Sequence, residues 1–424
     1  MSDDVPALPA RADVVVIGGG IVGTSSAWDL ARAGHSVVLC EKGRIAGEQS
    51  SRNWGYVRQQ GRDPAEIPLI VESVRIWKGL NAALGAETGY RQTGVYYLAG
   101  ERKSERRFEE FLPHAERHQL GTRMLSSKEV AAAVPGAKRK WLAGMITPTD
   151  GRAEPSLAAP AIARGAAALG VHVAEGCAVR GLETSAGRVS AVITERGPVA
   201  CDAVLLAGGA WSRIFLHSLG ITFPQLTVRG SVQRIAPLEA GIEGGMWTSG
   251  FAIRKRLDGG YNVAHGNRAV ADLTPDHFRF LPKFLSALAT QGDKFKIRIG
   301  RRFMDLARLP RRWPLDRPSP FEAARVLDPE PHRGILDTAL SNLKATLPAF
   351  EAAKVVERWA GYIDVTPDAV PVIAPVPALA GLFLASGFSG HGFGIGPGAG
   401  RLAADLVRGA NPIVDPAPFR FDRF

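Results

Sequence analysis

The chain has 424 residues, of which 46% are hydrophobic and 22% are charged, and its formal net charge is +11. These proportions exclude a disordered, collagen-like or disulfide-rich secreted protein, and the length predicts two or three globular domains. The three cysteines form no CxxC pair, which argues against a disulfide framework or a zinc site and favours a reducing compartment.

The N-terminal sequence and the net charge limit the cellular locations and the binding partners that we expect for this chain. Acids stand where a signal peptide needs bases, and no apolar run approaches about 18 residues, so we expect a cytoplasmic protein. The net charge is typical of a soluble surface. The arginine-rich stretch 301–313 is nevertheless a candidate for peripheral membrane contact or for an acidic partner. Nucleic acid is not expected, because no recognition-helix or stacking-aromatic pattern accompanies the charge.

The first elements predict a βαβ unit. The apolar, β-branched run 12–17 predicts a strand buried on both faces of a parallel sheet. A helix over about 21–33 and a second buried strand over 35–42 follow.

The turn between the first strand and helix carries a dinucleotide-binding pattern. Gly18 suits the tight turn, Gly20 a close approach to a pyrophosphate, and Gly23 the packing of helix on sheet. The helix N-terminus then faces the phosphates. Glu41 ends the second strand, where its carboxylate can accept both ribose hydroxyls and repel a 2′-phosphate.

The remaining elements alternate in character along the chain. After a polar loop at 43–66, the patterns predict a helix at about 64–84, a strand at 94–100, a helix at 156–170 and a buried strand at 201–212. Alternation over 228–266 predicts antiparallel strands, and 269–345 turns to helices, prolines and arginines. A last strand, a glycine loop and a helix over about 397–408 close the fold.

This order predicts an α/β fold built from two interleaved domains. Buried parallel strands lie at both ends and in the middle of the chain, and antiparallel patterns lie between them. We place a discontinuous dinucleotide-binding domain at 1–95, 151–228 and 346–424, and a second domain at 96–150 and 229–345.

The stretch SGFSGHGFGIGPGAG, residues 386–400, holds seven glycines around one histidine. An isoalloxazine ring is flat and large, and bare backbone can lie closely against it. A helix N-terminus aimed at the ring edge would also stabilise reduced flavin. The second glycine loop therefore favours FAD over NAD.

Together these stretches resemble the D-amino-acid oxidase, glycine oxidase and sarcosine oxidase superfamily of FAD enzymes. The resemblance spans residue 13 to about 407 through DVVVIGGGIVGTSSAWDLARAGHSVVLCEK, SSRNWG, AVLLAGGAWS, WAGYIDVTPDAVPVIAP and GLFLASGFSGHGFGIGPGAGRLAADLV. It implies a glutathione-reductase-like FAD-binding Rossmann domain and an antiparallel-sheet α+β substrate domain. It also implies oxidation of the C–N bond of an amino acid or amine by hydride transfer to flavin, giving an imine that hydrolyses.

The resemblance also implies which residues hold the cofactor. The FAD contacts carried over onto this chain are Gly18, Gly20, Ile21, Val22, Gly23, Glu41, Lys42, Ser50, Ser51, Arg52, Asn53, Val179, Ala207, Gly208, Trp211, Gly361, Gly387, Gly390, His391, Gly392 and Phe393. Sarcosine oxidases attach flavin through a cysteine near the position of Gly361, and no cysteine stands there in this chain, so we expect non-covalent FAD.

The residues that these related oxidases place around the carboxylate of a small amino acid are absent from this chain. Gly394 stands where sarcosine oxidases have a lysine, Ile363 where glycine oxidases have an arginine, and Phe251 where they have an active-site tyrosine. We therefore expect a substrate larger than glycine or sarcosine, or one held differently.

Four residues are candidates for binding the substrate or for bordering it at the flavin. Arg58 is the first choice for a carboxylate clamp, since a guanidinium fork matches two oxygens, and Arg254 is the second. Tyr362 is placed to close the pocket, and His391 to hydrogen-bond the flavin edge. Each has a purely structural alternative. The HxxxH pair at 114–118 lies in a charged helix, and we expect no metal there.

Oxidase and dehydrogenase activities both stay open. The strand GGYNVAHG, 259–266, lacks the lysine with which sarcosine oxidases activate oxygen, which favours a dehydrogenase that passes electrons to a quinone or a partner protein. An alternative is the amine-oxidising subunit of a multi-subunit opine or hydroxyproline dehydrogenase complex. An NAD-dependent reductase is a third reading, against which the second glycine loop argues.

Overall fold

The computed structural model describes residues 6–424, which fold into three sheets surrounded by helices. The strands are β1 (Arg11–Ile17), β2 (Val37–Cys40), β3 (Tyr56–Val57), β4 (Arg91–Gln92), β5 (Val95–Ala99), β6 (Arg123–Ser126), β7 (Ala143–Thr147), β8 (Gly151–Arg152), β9 (His172–Ala174), β10 (Val179–Ser185), β11 (Arg188–Thr194), β12 (Gly197–Leu206), β13 (Leu226–Ile235), β14 (Gly245–Trp247), β15 (Ala252–Lys255), β16 (Tyr261–Ala264), β17 (Ala269–Asp272), β18 (Phe295–Arg298), β19 (Val355–Val365), β20 (Val372–Pro375) and β21 (Leu382–Ser386).

The helices cover the faces and ends of these sheets. They are α1 (Ile21–Arg32), α2 (Gln49–Arg52), α3 (Ile67–Leu84), α4 (Arg102–Arg117), α5 (Ser127–Ala133), α6 (Pro155–Ala168), α7 (Ser212–Ser218), α8 (Pro275–Arg279), α9 (Leu281–Gln291), α10 (Arg301–Ala307), α11 (Pro320–Ala323), α12 (Arg333–Thr346) and α13 (Gly392–Val407). In residues 6–424, no helix combines the length and apolarity that crossing a bilayer requires.

The first sheet has eight strands and contains the predicted βαβ unit. Strand β1 lies between β12 and β2, parallel to both, and β9 and β21 extend the parallel part, while β10, β11 and β20 are antiparallel to their neighbours. Val14 and Val16 face one apolar cluster and Val15 faces another. The strand is therefore buried on both faces, as its continuous apolar run predicts.

The second sheet has ten strands and is largely antiparallel. Its longest ladder joins β13 and β19, which run antiparallel from the pair Leu226–Val365 to the pair Ile235–Val355. A small third sheet, in the order β3, β8, β4, lies next to the loop that follows β2. The α/β class is thus confirmed, with both parallel and antiparallel pairing.

The helix nearest the C-terminus, α13, differs from its prediction. It begins at Gly392, five residues before the expected start, so that half of the expected glycine loop is helical. Glycine disfavours a helix interior by about 1 kcal/mol relative to alanine, which is why the sequence pattern predicts a loop. Tertiary packing overrides that preference, because a Cβ on Gly400 would lie 2.4 Å from Ser25 Cβ and one on Gly398 would lie 2.8 Å from the carbonyl oxygen of Leu69.

Candidate functional site

A cavity of about 880 Å³ lies where the two glycine-rich segments meet. Gly20 comes from the turn after β1, while Gly390, Gly392 and Gly394 come from the opposite end of the chain, and all four line this cavity. A smaller cavity of about 100 Å³ shares Gly20 and continues toward the end of β2. The two segments that the sequence singles out therefore converge on one continuous site.

The three glycines after β1 have different steric surroundings. Gly18 has a φ of +112°, and a Cβ there would lie 2.4 Å from the carbonyl oxygen of Ala207. A Cβ on Gly23 would lie 2.0 Å from the carbonyl oxygen of Gly18, which leaves no room for a side chain. A Cβ on Gly20 would meet only Ser50 Oγ, at 3.1 Å, so this position is open toward both cavities.

The N-terminus of α1 points into this junction. Its first turn holds no acidic residue, and the backbone N–H of Ile21 donates to Ser50 Oγ at 2.8 Å. Ile21 and Val22 line the larger cavity. Because a helix N-terminus carries free N–H groups and a partial positive charge, the junction favours an anionic ligand such as a phosphate.

Glu41 lies at the smaller cavity with its carboxylate fixed by the backbone. Its oxygens accept from the N–H groups of Gly19 and Gly43, each at 2.7 Å. Burial raises the pKa of this carboxyl group. The other predicted cofactor contacts at this cavity are Gly18, Lys42, Ser50, Val179, Ala207, Gly208 and Trp211.

Lys42 and Trp211 form one wall of the smaller cavity. Lys42 Nζ lies 4.4 Å from the centre of a Trp211 ring and donates to Glu48 at 2.7 Å and to the carbonyl oxygens of Ala324 and Arg325. Trp211 Nε1 also donates to Glu48. These bonds use the lysine within the chain, so its role here is to shape the wall.

The loop after β2 brings further predicted contacts to the larger cavity. Asn53 Nδ2 donates to the carbonyl oxygen of Ser50 at 2.9 Å, and Arg52 Nη1 donates to that of Ala360 at 2.8 Å. Both side chains line the cavity, as do Gly361 and Phe393.

Three predicted cofactor residues, Gly23, Ser51 and Gly387, line neither cavity. Ser51 is absent from both linings, and its hydroxyl donates to the carbonyl oxygen of Glu48 at 3.2 Å. Gly387 is also absent from both; its φ is +81° and its N–H donates to Asp364 Oδ2 at 2.7 Å. The glycine is required by the turn, since a Cβ would lie 2.4 Å from Thr366 Cγ2.

Arg254 is committed to a buried ion pair and does not line the larger cavity. Its side chain is 0% exposed, and its guanidinium donates to Glu154 at 2.6 Å and to the carbonyl oxygen of Trp54 at 2.8 Å. The placement contradicts the expectation of a second substrate clamp, because breaking this pair would leave a buried charge unpaired. Phe251 likewise does not line the larger cavity and packs in an apolar cluster with residues of the second sheet.

Arg58 lies in the cavity wall with most of its donors free. Its guanidinium carbon lies 5.6 Å from the centre of the Tyr97 ring, and Nη1 donates to the carbonyl oxygen of Gln60 at 2.5 Å. The side chain is half-buried. A guanidinium has five N–H donors, so Arg58 can still receive a carboxylate.

A buried charge network that the sequence did not reveal supports Arg58 and His391. Arg62 Nε donates to the carbonyl oxygen of Arg58 at 3.1 Å, and Arg62 Nη1 lies 3.9 Å from Glu66 Oε2. Glu66 is 0% exposed, and His391 Nδ1 lies 2.9 Å from the same oxygen. No nearby sequence motif signals this network, because Glu66 and His391 are 325 positions apart.

The protonation states in this network follow from burial and charge. Burial lowers the pKa of Arg62 to about 10, which still leaves it charged at neutral pH. Burial opposes ionisation of Glu66, but His391, Arg62 and Arg58 outweigh it and hold the pKa of Glu66 below its usual value. Burial lowers the pKa of His391. An ionised carboxylate only accepts, so we assign the proton of neutral His391 to Nδ1.

Tyr362 lines the opposite part of the cavity and is held from two sides. The guanidinium carbon of Arg302 lies 3.8 Å from its ring centre, and its hydroxyl donates to Asp272 Oδ2 at 3.4 Å. Asp272 also pairs with Arg229 at 2.9 Å. Burial raises the pKa of Tyr362, so the residue is a neutral hydrogen-bonding group.

Comparisons with known proteins place these features in context. A family model described as "FAD dependent oxidoreductase" matches residues 13–406. Glycine oxidase from Pseudomonas putida is 28% identical, over 96% of this chain and 97% of that protein. D-amino acid dehydrogenase from Rhizobium johnstonii is 26% identical, over 97% of this chain and 99% of that protein.

A solved structure of L-amino acid deaminase from Proteus myxofaciens, in complex with anthranilate, superposes with a TM-score of 0.95. It is 34% identical and covers 99% of this chain and 95% of its own. The similarity therefore extends over both sheets and the site between them.

Proposed function

Because this chain belongs to the FAD-dependent oxidoreductase family and acts on C–N bonds with FAD as its cofactor, we propose that it oxidises an amino acid bearing a side chain larger than that of glycine. The carbon next to the nitrogen would lose a hydride and the nitrogen a proton, and water would hydrolyse the resulting imine. Bound FAD would supply the hydride acceptor. One observation carries the proposal: Arg58 lines the same cavity as the two glycine-rich segments.

The residues present fit FAD. Gly20 leaves open space beside the N-terminus of α1, where backbone N–H groups suit a pyrophosphate. Glu41 presents its carboxylate at the smaller cavity, where it would accept ribose hydroxyls. Gly390, His391 and Gly392 would lie near the ring.

We propose that the cofactor is held without a covalent bond. None of the three cysteines, Cys40, Cys177 and Cys201, is among the residues that line the larger cavity. The expected release of flavin on acid precipitation tests this point.

Arg58 is the residue that we propose to bind the substrate carboxylate. It combines access to the cavity with unused donors, and its stacking on Tyr97 limits the rotamers that it must give up on binding. Arg62 is too deeply buried for this role and is proposed as a positioning residue. Tyr362 and His391 would border the substrate from the other walls.

The cavity walls favour a substrate with an apolar side chain. Tyr97, Trp247 and Ile363 line it together with Tyr362 and Phe393. Ile363 and Gly394 occupy the positions at which related enzymes carry charged anchors, and neither can bind a carboxylate through its side chain. Burying an apolar substrate side chain against such a wall is energetically favourable.

The sheets also support a domain division. We propose a glutathione-reductase-like FAD domain around the first sheet, from 1–95, 151–228 and 346–424, and a substrate domain around the second, from 96–150 and 229–345. The strands divide accordingly: β1, β2, β9 to β12, β20 and β21 lie in the first sheet, and β5 to β7 and β13 to β18 in the second. Strand β19 belongs to the second sheet through its pairing with β13, although its residues fall within the 346–424 range that we assign to the FAD domain.

Anaerobic bleaching of the bound flavin by a panel of D-, L-, N-methyl and cyclic amino acids tests the function. We expect amino acids with large apolar side chains to bleach it faster than glycine or sarcosine. The variant Arg58→Ala should lose most of this rate, and Arg58→Lys should regain part of it because the charge returns without the fork. Equal rates for Arg58→Ala and wild type would remove Arg58 from the site.

The route of the electrons is a separate question with its own measurement. We propose an acceptor other than oxygen, since residues 259–266, which include strand β16, contain no lysine. Hydrogen peroxide formation should then be slow compared with the reduction of an artificial dye. Peroxide formed at the rate of substrate oxidation would assign the protein as an oxidase.

A further inference from the structure

The outer face of the cavity mouth carries an exposed apolar patch. We define the rim segment as residues 275–313, which include α8, α9, β18 and α10. In residues 6–424, twelve large hydrophobic side chains are notably exposed, and seven of them fall in this segment. They are Phe278, Leu281, Leu285, Leu288, Ile297, Ile299 and Met304. Isolated exposed apolar residues need no explanation, but such a cluster marks an interaction site.

The apolar side chains share one location. Leu281, Leu285 and Leu288 follow the spacing that places them on one face of α9. Leu281, Leu288 and Ile297, together with Phe278, are exposed and also line the larger cavity, so they form its rim. Ile297 lies on β18, which is the edge strand of the second sheet and pairs with β17 alone.

Most of the net positive charge of the chain comes from the same segment. The rim segment holds ten lysine and arginine residues and three aspartates, a net charge of +7 out of +11 for the whole chain. Eight of the ten basic residues are exposed. Of the aspartates, Asp276 is paired with Arg213 at 2.8 Å and Asp305 lies 3.7 Å from Arg301. The exposed cations outside these pairs thus stand next to exposed apolar side chains.

We propose that the rim segment binds the surface of an anionic phospholipid bilayer and holds the cavity mouth against it. Apolar side chains interleaved with long cationic ones match the boundary between acyl chains and anionic headgroups. A second copy of this chain is a poorer occupant, since two faces of +7 would repel each other. The contact that we propose is peripheral, with side chains of the rim segment entering the headgroup region.

Co-sedimentation of the FAD-loaded protein with vesicles tests the proposal. We expect binding to phosphatidylcholine–phosphatidylglycerol vesicles to be at least about tenfold tighter than to pure phosphatidylcholine, and to weaken with added salt. Equal binding to both vesicles, or binding to neither, would overturn it.

Variants outside the cavity lining separate the apolar and charged contributions. Leu285→Glu, and the pair Lys296→Glu with Arg298→Glu, should each lower vesicle binding at least about tenfold and leave turnover of a soluble substrate unchanged. Leu169→Glu is the matched control, because Leu169 is 49% exposed at the end of α6 and Leu285 is 55% exposed. A loss of binding equal to that of Leu285→Glu in this control would contradict the assignment.

A measurement of the oligomeric state in the absence of lipid completes the test. Sedimentation should show that wild type and Leu285→Glu have the same mass. A dimer of the wild type that Leu285→Glu dissociates would assign the rim segment to a second copy and overturn the lipid proposal.

Discussion

The two glycine-rich segments reach the same cavity but use their glycines differently. In the turn after β1, Gly18 and Gly23 are forced by close backbone contacts, and Gly20 leaves space for a ligand. In the segment 387–400, the first glycines form a turn and the cavity wall, but Gly396, Gly398 and Gly400 lie within α13 and face its neighbours. Bare backbone therefore serves tight turn packing and one open ligand space in the first region, and largely helix packing in the second.

The largest expected effect comes from Gly23. The nearest atom to a new Cβ is the backbone oxygen of Gly18 at 2.0 Å, which no side-chain movement can relieve. We expect Gly23→Ala to lose about 3 kcal/mol or more of stability and to purify without flavin. Thermal unfolding and the flavin absorbance of the purified protein measure both effects. A yellow variant with wild-type stability would contradict the steric argument.

Gly400 in α13 gives the contrasting case. A Cβ there would lie 2.4 Å from Ser25 Cβ and 2.8 Å from the backbone nitrogen of Ser26, both in α1. We expect Gly400→Ala to cost about 1–3 kcal/mol through overpacking. Activity per folded, FAD-saturated molecule should stay near wild type, as measured by steady-state kinetics at a temperature below the unfolding transition. A specific loss of kcat would mean that this glycine serves the site directly.

Arg58→Ala should lower kcat/KM for the substrate without changing FAD binding or folding stability. Removing a charge-assisted hydrogen bond to a carboxylate costs about 1.5–3 kcal/mol, which corresponds to a loss in kcat/KM of roughly 10- to 150-fold. FAD content and thermal stability should change little, because the guanidinium makes one hydrogen bond within the chain. Arg62→Ala provides the comparison, since it should lower stability as well.

Gly20→Ala separates the two uses of glycine within the first turn. Its new Cβ meets only Ser50 Oγ, at 3.1 Å, so we expect stability of the cofactor-free protein to fall by less than about 1 kcal/mol. The affinity for FAD should fall by about tenfold or more, because the methyl group takes space beside the N-terminus of α1. Fluorescence titration with FAD gives the value, and unchanged affinity would place the pyrophosphate elsewhere.

The smallest expected effect concerns pH. The pKa of His391 is lowered in the folded protein, so the unfolded chain binds more protons below about pH 6.5 and stability falls as the pH drops through that value. His391→Asn removes this contribution and should flatten the dependence between about pH 6.5 and 5. Glu66 also makes stability fall as the pH drops. Its pKa is lowered in the folded protein, so the stability that its carboxylate contributes is lost only at more acidic pH. Denaturant unfolding at several pH values measures the difference.

The sequence predicts local features well and long-range ones poorly. The βαβ unit and the glycine spacing follow from short-range patterns, and the family resemblance is confirmed by the comparisons. The start of α13 could not be predicted, because contacts with Ser25 and Leu69 far along the chain outweigh the low helix propensity of glycine. The ion pair of Arg254 with Glu154 joins residues 100 positions apart, and no local pattern signals it.

The contact between α1 and α13 has a consequence for the order in which the protein is made. The turn that we propose to bind phosphate emerges from the ribosome early, but the second glycine-rich segment that lines the same cavity lies some 370 residues behind it. A nascent chain can therefore form its first strands and helix long before it can retain a flavin. Capture of the proposed cofactor would therefore be a late event in the biosynthesis of this chain.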